Sequence, residues 1–158
     1  MSAVTPSDRQ WLMAAIELAR KCPPSTTAFS VGAIVVDGEG REVSRGYSRE
    51  TDPHVHAEEA ALAKLNMMDG PDLTGATIYS TLEPCSERRS RPRTCTQLII
   101  EAGIPRVVIA WREPSLFVAD CQGVELLAGN GIEVLEVLDL AAAAGAVGMP
   151  SQIATGGG

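Results

Sequence analysis

Hydrophobic positions recur along this chain at two spacings, one typical of helices and one typical of buried strands. Ser7 is predicted to cap a helix that ends at Cys22, because the Pro23-Pro24 pair cannot continue it. Three later segments carry the helical spacing, at 56–68, 94–102 and 123–128. Short apolar, β-branched runs predict five strands, at 31–36, 41–47, 76–82, 106–111 and 132–138.

The order of these segments predicts the fold class. The turn residues at 37–40 join the first two strands into an antiparallel hairpin, whereas helices separate the later strands. Strands joined by helical crossovers are usually parallel. We therefore expect an α/β fold with a mixed five-stranded sheet, antiparallel in its first pair and parallel in the rest, covered by helices. One domain is expected at 1–140, and the Ala- and Gly-rich segment 141–158 is expected to be a partly disordered tail.

Composition narrows the choice of partners. The formal net charge of -7 argues against binding to nucleic acid or to an anionic membrane surface. No apolar run approaches the length of a membrane span, and the first residues lack the pattern of a secretory signal. We therefore expect a cytoplasmic protein whose four cysteines are reduced or bind a metal.

A possible metal site stands out because the chain has only two histidines. His56 lies two residues before Glu58, and Cys85 and Cys95 follow the third predicted strand. One imidazole and two thiolates match a catalytic zinc site, which keeps its fourth position for water. Glu58 is then the group that moves protons, and the pair can work together only in the first turn of the helix. A structural zinc site completed by His54 or Cys121, and the absence of any metal, are the alternatives.

We expect these groups to meet at one end of the sheet. Pro84 is favoured at the first position of a helix, so Cys85 is predicted to lie at a helix N-terminus, where a thiol ionises more easily. The helix that begins at His56 also follows a strand. Both helix starts then lie at the carboxyl ends of strands, where open α/β sheets bind ligands.

Together, His56-Ala57-Glu58 and Thr81-Leu82-Glu83-Pro84-Cys85, followed by Cys95, resemble the signature of the cytidine and deoxycytidylate deaminase superfamily. Within that superfamily the chain is most similar to the deaminase domain of riboflavin biosynthesis. The resemblance implies the three-layer cytidine deaminase-like fold, zinc held by His56, Cys85 and Cys95, and Glu58 as the proton shuttle. It also implies that a backbone carbonyl near Leu82 or Glu83 accepts a hydrogen bond from the substrate's amino group, and that the chain forms dimers or tetramers.

The spacer between the two cysteines departs from the superfamily's usual pattern. Nine residues, 86–94, separate Cys85 from Cys95, where two are usual, and this length favours the riboflavin branch. Four arginines lie in the spacer, at 88, 89, 91 and 93. Arg88 and Arg89 are candidates for binding a substrate phosphate, and a solvated charged loop is the alternative. Phe29 and Trp111 are candidates for covering the substrate ring, with core packing as the alternative.

These observations predict a zinc-dependent hydrolytic deaminase that acts on a small aminated heterocycle. A riboflavin-type diaminopyrimidine nucleotide is the first candidate substrate. Cytidine or deoxycytidylate follows, and a guanine- or pterin-like ring comes third. A zinc-binding module without catalysis is the alternative from another class, and Glu58 argues against it because a structural site has no use for that acid.

Overall fold

The computed structural model describes residues 3–68, 70–86, 88, 91–112 and 121–150. Five strands lie within these ranges: β1 (Gly32–Val36), β2 (Glu42–Tyr47), β3 (Thr77–Leu82), β4 (Arg106–Trp111) and β5 (Glu133–Glu136). Five α-helices accompany them: α1 (Pro6–Ala19), α2 (Ala57–Asn66), α3 (Cys95–Ala102), α4 (Gly123–Gly129) and α5 (Ala141–Gly148). A short 3-10 helix, Leu138–Leu140, leads from β5 into α5.

The strands form one mixed sheet in the order β2-β1-β3-β4-β5. β1 is antiparallel to β2 and also to β3, while β3, β4 and β5 are parallel. The antiparallel first pair and the parallel remainder are as predicted. Because β1 lies between β2 and β3 and runs against both, the other four strands all point the same way. Their carboxyl ends and the amino end of β1 therefore share one edge of the sheet.

Helices cover both faces of this sheet, which gives the predicted three layers. On one face, α2, α3 and α4 pack against alternate strand residues, among them Ala33, Ile78 and Val107. On the other face, α1 and α5 cover the intervening strand residues, such as Ile34 and Val108. The central strands are buried on both sides, which explains their continuous apolar sequences.

The first helix begins two residues earlier than predicted. Thr5, not Ser7, is the N-cap: its hydroxyl accepts a hydrogen bond from Asp8 N at 3.0 Å, and the Asp8 carboxylate accepts one from Thr5 N at 2.9 Å. Pro6 then occupies the first helical position, where its missing N–H costs nothing. The helix ends at Ala19, and the residues up to Cys22 continue only as a turn.

The segment expected to follow the domain as a tail begins with a packed helix. Residues 141–148 form α5, whose Ala144 is buried against the sheet layer. Its C-terminal end is tied to the start of β1 by a hydrogen bond from Ser30 N to Gly148 O at 2.8 Å. Residues 141–148 thus pack with the rest of the fold, whereas 151–158 lie outside the described part, and the division of the chain at residue 140 stays a prediction. Alanine and glycine leave no side-chain pattern from which such packing can be read.

No helix in the described ranges has both the length and the apolar character needed to cross a lipid bilayer.

Gly46 sets the distance between α2 and the sheet. A Cβ atom at this position would lie 2.5 Å from Ala57 O and 2.6 Å from Ala61 N, both in the backbone of α2. These contacts are far inside van der Waals distance, so only glycine allows the helix to approach β2 this closely. The first turn of α2 carries the residues of the predicted site, so Gly46 helps to position them.

We expect Gly46→Ala to destabilise the protein by about 1–3 kcal/mol, because the added methyl group must push α2 away from β2. Gly129→Ala is the matched control, since no atom lies within 4 Å of the Cβ it would add. That control should change stability by no more than about 0.5 kcal/mol. Urea unfolding of the two variants measures the difference, and equal stabilities would contradict the close approach.

Candidate metal centre and active site

Three chain segments deliver the predicted metal ligands to the carboxyl edge of the sheet. His56 is the N-cap residue of α2, after the loop that leaves β2. Cys85 lies in the loop directly after β3, and Cys95 is the first residue of α3. The prediction of a helix start after Pro84 was wrong, since residues 83–85 have no helical structure. Cys95, and not Cys85, is the thiol at a helix N-terminus.

The ligand atoms of His56, Cys85 and Cys95 all lie within 4.8 Å of one another. His56 Nδ1 is 3.3 Å from Cys95 Sγ, and Cys95 N donates a hydrogen bond to Cys85 Sγ at 3.2 Å. One nitrogen and two sulfurs suit zinc, which prefers such ligands in a tetrahedral arrangement. Within the described ranges no fourth His, Cys, Asp or Glu joins this group, which leaves a coordination position free of protein. The donor set therefore fits a catalytic zinc ion better than a structural one.

The two thiols of this group influence each other's ionisation. Hydrogen bonding from Cys95, together with the nearby His56, lowers the pKa of Cys85 to about 4. The hydrogen bond to Cys85 and complete burial raise the pKa of Cys95 well above its usual value. These opposite shifts in pKa favour a thiolate at Cys85 beside a thiol at Cys95. A thiolate beside an imidazole is prepared to accept a cation.

Glu58 lies in the first turn of α2, as the predicted pairing with His56 requires. Only 4% of Glu58 is exposed. Burial raises the pKa of the Glu58 carboxyl to about 7, with His56 lowering it and Cys85 adding to the rise. A carboxyl group with this pKa both gives and takes protons near neutral pH, which suits general acid-base catalysis.

The alternative fourth ligands are not part of the group. His54 is exposed in the loop before α2. Cys121 lies near the Cys85 loop, where its sulfur is 3.7 Å from Pro84 O and 3.9 Å from Ser86 Oγ. Neither side chain belongs to the cluster of metal-binding atoms. The structure thus gives no support to the four-ligand alternative.

Arg88 and its neighbours have protein partners that the sequence did not suggest. The Arg88 guanidinium is 2.7 Å from Glu59 Oε1, and its side chain is only 3% exposed. Arg91 is paired with Glu59 and with Asp52, and Arg93 with Glu101. Arg89 lies outside the described residues. The phosphate contact of Arg88 and Arg89 stays a prediction, while the alternative of a solvated charged loop is wrong for Arg88.

Leu82 and Glu83 are buried at the end of β3. The carbonyl of Leu82 accepts a hydrogen bond from Ser80 Oγ at 2.8 Å. The Glu83 carboxylate accepts one from Val124 N at 3.0 Å, in the first turn of α4. The Glu83 side chain therefore fixes α4 next to the site. Substrate binding by the backbone of these two residues stays a prediction.

Phe29 lies in the segment before β1 and Trp111 ends β4, and the two residues meet at the same edge of the sheet. Their rings make an edge-to-face contact with centroids 5.9 Å apart. Gly145 and Gly148 of α5 approach the Trp111 ring so closely that added Cβ atoms would lie 3.5 and 3.3 Å from it. Packing is thus shown for both rings, and a contact with substrate stays a prediction.

Sequence reasoning missed Glu59, which connects two parts of the site. Its carboxylate accepts a hydrogen bond from His56 N at 3.2 Å and binds both Arg88 and Arg91. Hydrogen bonds from these arginines hold the pKa of Glu59 below its usual value, although burial opposes the shift. The sequence did contain a sign of this role for Glu59, because an acidic residue three positions after the N-cap residue of a helix is typical of a capping box.

Comparison with known proteins agrees with this site. A family model described as the cytidine and deoxycytidylate deaminase zinc-binding region matches residues 5–111. A diaminohydroxyphosphoribosylamino-pyrimidine deaminase from Schizosaccharomyces pombe is 45% identical over 130 residues, which are 82% of this chain and 32% of the relative. The chain spans about one third of the length of the curated relatives it matches.

Solved structures show the same similarity. The Rib2 deaminase of Aspergillus oryzae is 30% identical, with a TM-score of 0.79 over 89% of this chain and 90% of that one. A diaminohydroxyphosphoribosylaminopyrimidine deaminase and uracil reductase of Thermotoga maritima is 36% identical, with a TM-score of 0.77 over 90% of this chain and 39% of that one. The predicted zinc cofactor and fold class are thereby confirmed. The chain belongs to the family of the cytidine and deoxycytidylate deaminase zinc-binding region, and its resemblance to the deaminase domain of riboflavin biosynthesis is confirmed.

Proposed function

We propose that this chain is a zinc-dependent hydrolytic deaminase whose substrate is a diaminopyrimidine nucleotide of the riboflavin type. The observation that carries the proposal is the convergence of His56, Cys85 and Cys95 beside the buried carboxyl group of Glu58. Structural zinc sites have no use for such a proton carrier. The relatives named above as deaminases of this pyrimidine support the choice of substrate.

In this proposal His56, Cys85 and Cys95 hold the zinc ion. Bound zinc would supply a Lewis acid that lowers the pKa of a water molecule at its free position. Glu58 takes a proton from the attacking water and delivers it to the ring nitrogen. It then takes the second proton from the added hydroxyl group and gives it to the leaving amine. The carbon–nitrogen bond breaks, and ammonia and the oxo product leave.

Other residues at the same edge are proposed to hold the substrate. A backbone carbonyl at Leu82 or Glu83 accepts a hydrogen bond from the amino group, and Phe29 and Trp111 form a wall against the ring. Arg89 of the spacer is proposed to bind a phosphate, whereas the Arg88 side chain is already held by Glu59. A cytoplasmic enzyme that forms dimers or tetramers, and that binds neither nucleic acid nor membranes, completes the proposal.

Removal of the metal tests the ligand assignment. We expect the purified chain to contain about one zinc ion per site, as for a three-ligand catalytic centre. Dialysis against a chelator should abolish ammonia release, and added zinc should restore it. Cys85→Ser should lose the metal, whereas Cys22→Ser, whose thiol lies at Val31 O, should keep it. Retention of full zinc by Cys85→Ser would refute the assignment.

Glu58→Gln separates proton transfer from metal binding. Removing a general acid-base group typically lowers kcat by about 100- to 10,000-fold. Zinc content should be unchanged, because the variant keeps all three ligands. Glu50→Gln serves as the control carboxylate, since Glu50 pairs with Lys64 and should leave kcat unaffected. Full turnover in Glu58→Gln would show that another group moves the protons.

Ammonia release from a panel of aminated rings, each offered with and without a phosphate group, identifies the substrate. We expect the highest kcat/KM for the phosphorylated diaminopyrimidine. The panel also contains cytidine, deoxycytidylate, guanine and a pterin that carries an amino group. Preference for cytidine or deoxycytidylate would keep the deaminase chemistry and change the substrate. Release from none of them would favour a zinc-binding module without catalysis.

A further inference from the structure

The metal ligands arise from two stretches of chain that are far apart in sequence. His56 is the last residue of the loop 48–56, whereas Cys85 and Cys95 flank the spacer 86–94. Burial of a bare imidazole and two thiols costs free energy unless partners hold them in place. Contacts that join the loop to the spacer therefore help to hold the metal ligands in place.

One carboxylate joins the two stretches. Glu59 Oε1 accepts hydrogen bonds from His56 N at 3.2 Å and from Arg88 at 2.7 Å. Glu59 Oε2 accepts one from Arg91 Nε at 3.0 Å. His56, which caps α2 and is a predicted metal ligand, thus donates to the same Glu59 carboxylate as two arginines of the spacer.

A second set of contacts joins the same stretches through the loop. Arg91 binds Asp52 Oδ2 at 2.6 Å, and Asp52 Oδ1 accepts a hydrogen bond from His54 N at 2.7 Å. Arg88 also donates to the backbone carbonyl of His54. Asp52, Glu59, Arg88 and Arg91 form one connected group, which we call the arginine clamp.

The arginine clamp differs from an ordinary surface ion pair. Exposed pairs contribute little because water screens them and their side chains stay mobile. Here the Arg88 side chain is 3% exposed and the Glu59 side chain 21%. Each carboxylate or guanidinium of the clamp also makes more than one contact. Once one contact has formed, the side chain is already restricted, so the next contact costs less conformational entropy. Contacts of this kind around metal ligands fix ligand orientation, and their loss typically lowers metal affinity about 10- to 100-fold.

We propose that the arginine clamp positions His56 against the Cys85–Cys95 segment before the metal binds, so that Glu59, Arg88 and Arg91 are positioning residues for zinc affinity. The inference rests on the proposed function only in taking His56, Cys85 and Cys95 as the ligands. It assigns Arg88 to the protein's own metal site in place of the substrate phosphate.

The test is the zinc dissociation constant of the full chain, measured by competition with a chelator and without any substrate. Glu59→Gln keeps the shape of the side chain and removes its charge. Arg88→Lys keeps the charge and removes the forked donors. Both should raise the dissociation constant about 10- to 100-fold. Glu50→Gln is the matched control, because it breaks another ion pair to α2 away from the ligands, and it should change the constant less than twofold.

A second readout separates positioning from general stability. With Co²⁺ in place of zinc, the clamp variants should show altered absorption bands of the metal and its thiolates, whereas Glu50→Gln should match the wild type. If Glu59→Gln does not fold, Arg91→Gln replaces it, since that half-buried side chain makes one contact to Glu59 and one to Asp52. Unchanged zinc affinity and unchanged cobalt spectra in the folded clamp variants would overturn the proposal.

The same variants distinguish this inference from the proposed function. If Arg88→Lys alters only the KM of phosphorylated substrates and leaves zinc affinity intact, Arg88 is a phosphate contact and the clamp is refuted. If zinc affinity falls as expected and no ring in the panel releases ammonia, the clamp stands and the proposed deaminase activity fails.

Discussion

The structure depends on keeping two thiols, one imidazole and one carboxyl group together in a site that is largely shielded from solvent. Cys85, Cys95 and Glu58 are all buried. Polar groups in such surroundings need partners, and the hydrogen bond from Cys95 N to Cys85 Sγ is one of them. Burial raises the pKa of Glu58 to about 7, and the hydrogen bond between the two thiols lowers the pKa of Cys85 and raises that of Cys95. The chemistry that the site offers follows from this burial.

The sheet explains why these groups can meet. Because β1 runs against both of its neighbours, the ends of β2 and β3 reach the same edge on either side of it. The loops that leave those ends carry His56 and Cys85, and the next helix begins with Cys95. Gly46 lets α2 lie close to β2, so that the first turn of the helix reaches the edge. The site is therefore assembled by the topology and by one close approach of backbones.

The arginines of the spacer show how a local charge pattern can mislead. Four cations in a short stretch of an acidic chain suggest a site for an anionic ligand. Glu59 and Asp52, which bind Arg88 and Arg91, lie 29 to 39 residues away from them in sequence. No local pattern reports such partners. Phe29 and Trp111 are a similar case, because their ring contact joins the segment before β1 to the end of β4, and α5 packs against the Trp111 ring.

The sequence by itself determined the parts of this protein that depend on neighbouring residues. Residue spacing was sufficient to predict the five strands and the main helices, because hydrophobic periodicity is a local property of the sequence. The pattern from His56 to Cys95 predicted the metal ligands, because the donor atoms of a side chain follow from its residue type. Only the tertiary structure decided the place of β1 in the sheet, the packing of α5, and which thiol lies at a helix start. It also decided the partners of Arg88. These outcomes depend on which distant surfaces become buried together, and that choice is made by the whole fold.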